Sequence, residues 1–159
     1  MKKSVQLANR IREVLLNGVW IANTNYKQEL SVVDWETAIT KINNLNSVAT
    51  LTYHINYYLA GILNFFEEGK LEISDKYSYE MPAIHSQEEW DTLRNTMFNN
   101  ARKFADQVAL MDDEKLEEVF ADKKYGTYLR NIEGVIEHSY YHLGQIVLIK
   151  KLIVQDKQV

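Results

Sequence analysis

A chain of 159 residues with a net charge of −4, 46% apolar and 25% charged residues has room for one domain, here taken as residues 1–159, around a single core. The acidic balance and the lack of a strongly basic stretch argue against nucleic-acid binding, which rests on Lys and Arg neutralising phosphates. No segment runs to the ~18 apolar residues that a membrane helix needs, and the absence of cysteine removes disulfides, thiolate ligands and a cysteine nucleophile.

A single proline and six glycines favour long uninterrupted helices. The first ten residues carry charge but no apolar core or cleavage site after it, so a cytoplasmic protein is expected. Val5, Ala8, Ile11, Val14 and Leu15 recur at three- and four-residue steps, which predicts an amphipathic first helix over residues 4–17, broken at Asn17-Gly18. Residues 19–42 read as an irregular connection holding Trp20, Leu30, Val33 and Trp35, with a short helical turn after Asp34. Asn46 and Ser47 are good capping residues for a second helix over 47–68, ended by Gly69. Its middle carries His54, and the same face continues through Tyr57, Tyr58 and Gly61.

Residues 70–85 lack a sustained period and predict a loop crossing the molecule. Ser86 and Glu89 fit a capping box that opens the third helix, continued by Trp90, Leu93, Met97, Ala101, Phe104, Val108 and Met111. A short helix follows Asp113, and the last long helix covers 127–155, where Lys150-Lys151 favour the C-terminal dipole. The fold class is therefore all-α: a four-helix bundle with a long connection between helices two and three.

The chemistry-bearing stretch is Glu137-His138-Ser139-Tyr140-Tyr141-His142-Leu143-Gly144-Gln145-Ile146. Histidines at i and i+4 share a helix face with Cβ atoms about 5–6 Å apart, so both rings can reach one metal ion. An isolated pair of this kind arises by chance on many helices. The third histidine, His54, on a separate helix, and the scarcity of other histidines shift the balance toward a site. Three neutral histidines with a free coordination position describe a catalytic rather than a structural centre, and imidazoles suit Zn or Ni, with Fe as a further candidate.

Gly134, one turn before His138, costs helix stability unless a neighbouring helix or a ligand needs the space. Gln145, Tyr53 and Glu137 are candidates to orient the histidines or a metal-bound water, with Glu133, Tyr57 and Tyr141 in reserve. With no cysteine in the chain, the activated group has to be a metal-bound water or a thiol brought in by a second substrate. His85, in a loop, reads as solvated.

On Tyr53-His54-Ile55 and the terminal HxxxH followed by Gly144-Gln145-Ile146, the chain resembles the DinB-like superfamily, the group that includes the YfiT-like metal-dependent proteins. The resemblance covers nearly the whole chain. It implies an antiparallel four-helix bundle, often a homodimer, with a divalent metal ion on three histidines that map onto His54, His138 and His142. That superfamily includes transferases and isomerases using low-molecular-weight thiols, such as bacillithiol S-transferases and mycothiol-dependent maleylpyruvate isomerase. The expected function is thus metal-dependent chemistry on a small-molecule substrate, thiol S-transfer ahead of hydrolysis. The alternative is a non-catalytic, metal-binding, stress-related bundle.

Overall fold

A computed structural model describes residues 1–156, and these are all-helical. Seven α-helices are joined by turns and loops, the longest covering residues 69–86, with one isolated bridge between Val119 and Thr127 and no strand among the described residues. Helix α1 (Lys3–Arg12) buries Leu7, Ala8 and Ile11 and runs on into a π-helical turn, Glu13–Asn17, that buries Val14, Leu15 and Leu16. The helix stops at the expected break. The Gly18 N–H closes the wide turn on the Glu13 carbonyl at 3.1 Å, and a β-carbon at Gly18 would collide with Glu13.

The segment after it is more ordered than its sequence suggests. Two short helices, α2 (Tyr26–Ser31) and α3 (Trp35–Ile39), replace the expected irregular connection. The second of them is the turn expected after Asp34, whose carboxylate accepts from the Thr37 N–H at 2.7 Å. Helix α2 is six residues long, too short to show a period; its signal is the Asn25 side chain, which accepts from the Gln28 N–H at 3.0 Å. Once formed it docks on the last helix, where the buried Tyr26 hydroxyl donates to the Ser139 carbonyl at 3.0 Å. Glu29 likewise accepts from Lys150 at 2.6 Å, so Lys150 serves α2 rather than only the helix dipole.

Ser47 caps α4 (Val48–Glu68), and Gly69, with φ +71, ends it in the left-handed region that glycine tolerates best. Ser86 caps α5 (Gln87–Leu110) through the Glu89 N–H, while the Glu89 carboxylate reaches back to the His85 N–H at 2.6 Å. Asp112 caps α6 (Asp113–Glu117), and α7 (Tyr128–Asp156) follows. Helix α1 packs along α5, α5 along α4, α4 along α7, and α7 returns to α1. Between them lies a core that includes Leu15, Leu51, Leu59, Trp90, Phe104, Ile136 and Ile146. Among the described residues no helix is long and apolar enough to cross a membrane.

Candidate metal centre

Helices α4 and α7 bring His54, His138 and His142 together, with one ring nitrogen from each within 4.8 Å of the others. His54 Nε2 lies 3.0 Å from His138 Nε2, and His142 Nε2 lies 2.8 Å from the same atom. An ion bound tetrahedrally at ~2.0–2.1 Å holds its nitrogens roughly 3.3 Å apart, a few tenths of an ångström wider than these two separations. His54 and His142 are buried and His138 is half-buried.

The hydrogen bonds on the far sides of the rings decide what the near sides present. The Ser78 carbonyl lies 3.2 Å from His54 Nδ1, and because a carbonyl only accepts, that nitrogen carries the proton. Gln145 offers its carbonyl oxygen to His142 Nδ1 at 2.6 Å, with the same consequence. In the neutral rings both Nε2 atoms therefore aim lone pairs at His138 Nε2, which carries at most one proton and can satisfy only one of them. Protonation does not resolve the conflict near neutral pH. Burial, then the charge His142 would carry, pushes His54 down to about 4, and burial with both neighbouring histidines does the same to His138. Burial also lowers His142. Three convergent lone pairs with too few protons form a donor set that can hold a divalent cation.

Comparison with protein-family models, curated proteins and solved structures finds no match. The reading of the centre therefore rests on its own geometry.

The other expected residues divide. Gln145 reaches His142, whereas Glu137 is exposed and pairs with Arg130 at 3.1 Å. Tyr53 contacts the Tyr57 ring and lines a cleft of about 580 Å³ with Met81, Ile84, Thr92 and Leu93, which no histidine borders. Tyr141 is largely exposed but sets its ring edge-on to His142, centroids 4.9 Å apart. Gly134 does not answer to a neighbour: a β-carbon there would meet nothing within 4 Å, so no neighbouring helix requires its small size.

Sequence reasoning passes over the loop that follows α4. Gly61 admits Ile73 against the helix, where a β-carbon would collide with it. Tyr57 then donates to the Ser74 carbonyl at 3.1 Å and accepts from the Ser74 N–H at 3.0 Å, and Tyr58 donates to Asp75 at 2.6 Å. So pinned, the loop places the Ser78 carbonyl on His54 and stacks Tyr79 on the same ring, centroids 4.0 Å apart and planes 11° from parallel. Tyr57, Tyr58 and Gly61 on one face with His54 were the available signal.

Proposed function

We propose that this chain is a divalent-metal-dependent enzyme whose ion is held by His54, His138 and His142, Zn or Ni ahead of Fe. The observation that carries the proposal is the orientation of the rings: two Nδ1 protons are committed to Ser78 and Gln145, so the Nε2 lone pairs of His54 and His142 converge on His138 Nε2 with at most one proton among the three atoms. A divalent ion held there supplies Lewis acidity, lowering the pKa of a water or thiol that enters the site. The chain's own residues orient the donors: Tyr79 covers one face of His54, and the loop carrying it holds the Ser78 carbonyl on the same ring. Three neutral donors leave the ion's charge uncompensated, which favours an anionic partner.

Thiol S-transfer is preferred over hydrolysis through the resemblance to the DinB-like superfamily, whose antiparallel four-helix bundle is consistent with the closed circuit of contacts among α1, α5, α4 and α7. Trp20, Ile21 and Val32, all strongly exposed, support a homodimer.

Elemental analysis of protein purified without chelators, beside a His138→Ala/His142→Ala variant, tests the centre. Near-stoichiometric metal in the parent and little in the variant is expected; equal trace amounts after incubation with Zn and Ni would overturn it. Turnover of thiols with electrophiles, lost in His142→Ala, tests the reaction class, and ester or amide hydrolysis without thiol turnover would reverse the preference. Light scattering on the same preparation reads the dimer.

A further inference from the structure

Beside the histidines, on the far side of Tyr58, lies a second cavity of about 420 Å³. The Tyr58 ring forms the partition: it stands edge-on to His54 at 5.1 Å and to His138 at 5.3 Å, and it also lines the cavity. Ile62, Ile73 and Phe120 give the cavity an apolar wall, while Asp75 and Asn131 supply polar groups.

The polar groups are unbalanced. The Tyr58 hydroxyl is spent on Asp75 Oδ1 at 2.6 Å, and both donors of the Ser74–Tyr57 contact are spent on each other. Asn131 Nδ2 donates to the Tyr125 and Thr127 carbonyls at 2.8 Å each, which leaves its carbonyl oxygen as the remaining polar atom of the amide. Asp75 is the one charged side chain among the described residues that line the cavity, and none of the ion pairs of the described residues includes it. Apart from the Ser74 and Tyr125 hydroxyls, which can donate or accept, the groups left over are acceptors, and the charge among the described lining residues is negative.

We infer that this cavity binds the ammonium arm of the substrate, with Asp75 pairing the cation, the Ile62, Ile73 and Phe120 wall covering the aliphatic chain, and the reacting end directed past Tyr58 to the three histidines. The inference rests on the proposed thiol chemistry for the identity of that reacting end. It explains why Tyr58 holds Asp75: a carboxylate anchored by a short hydrogen bond keeps one oxygen for the ligand and a fixed place at the mouth. The larger cleft at Tyr53 carries no comparable argument, since the Tyr53 ring meets that of Tyr57, whereas Tyr58 meets the rings of His54 and His138.

The test uses the full chain loaded with Co(II), whose thiolate charge-transfer absorption reports a sulfur entering the centre. Straight-chain aminothiols of increasing length are titrated beside mercaptoalcohols of equal length. At the best length the aminothiol binds about fivefold more tightly, the scale of a partly exposed ion pair. Asp75→Asn removes that preference while leaving mercaptoalcohol affinity within about twofold, and Asp75→Lys shifts preference to mercaptocarboxylates. Equal affinities in the parent, or an Asp75→Asn variant that weakens both series alike, would overturn the inference and leave the thiol reading standing. Titration of hexylamine against hexanol by calorimetry separates the two ideas from the other side. Absence of any charge-transfer band together with Asp75-dependent binding of hexylamine would sink the thiol reading and keep the ammonium site; absence of both would sink both.

Discussion

Gln145 sits three residues beyond His142, and its carbonyl oxygen accepts the Nδ1 proton of that ring at 2.6 Å. The bond fixes the tautomer and the ring rotation, so the lone pair of Nε2 points at His138 rather than averaging over two orientations. A bonded acceptor also raises the basicity of the opposite nitrogen. Gln145→Leu keeps the size and helix propensity of the side chain but removes the acceptor, and should weaken metal affinity by about 10- to 100-fold. Gln145→Glu, a stronger acceptor, should retain or tighten it. Competition against a chromogenic chelator reads both variants, with circular dichroism as the check on folding. Equal affinity in Gln145→Leu and the parent would mean that the ring is held by packing alone.

One loop and one helix face form a single device at the next scale. Gly61 lets Ile73 seat on α4, Tyr57 and Tyr58 tie the following residues down, and Ser78 and Tyr79 then meet His54 from two sides. Gly61→Ala overpacks that seat, which typically costs about 1–3 kcal/mol, and should loosen metal binding at a distance by drawing Ser78 off His54. Adding Ile73→Ala vacates the colliding methyl groups and should restore affinity, a rescue that a simple loss of helix stability would not show. The three candidate ligands were legible because their chemistry lies in residue type and helical spacing. The loop was not: it has no period, and the contribution of Ser78 is a backbone carbonyl that any residue carries. The two helical glycines make the same point. Gly134 drew notice because it lies one turn from His138, yet nothing packs against it, whereas Gly61 receives its neighbour from a loop twelve residues on. Helix α2 escaped for a related reason, since its docking through Tyr26 and Glu29 is decided by α7 rather than by its own short sequence.

Across the whole molecule, holding three imidazoles neutral in a half-shielded cluster couples stability to pH. Burial and mutual repulsion push His54 and His138 down to about 4, and burial lowers His142, so the folded chain binds fewer protons than the unfolded one below the ordinary histidine value of about 6.5. The stability these neutral rings contribute is complete above about pH 6.5 and is lost as pH falls through about 4. The metal-free protein should therefore show a level Tm from pH 7 to 8 and a decline from pH 6.5 downward. A bound ion adds to the folded state alone: at a free concentration about a thousandfold above Kd it contributes roughly 4 kcal/mol. At about 2–4 °C per kcal/mol for a chain of this size, that is an upward shift of about 10 °C. Protons and the ion compete for the same three lone pairs, so the gap between loaded and chelated protein should narrow as the pH approaches 5. Differential scanning calorimetry with and without chelator across that range measures both effects. A gap that stays constant with pH would place the ion on carboxylates instead, and a metal-free Tm that rises on acidification would mean that the three rings are not held neutral.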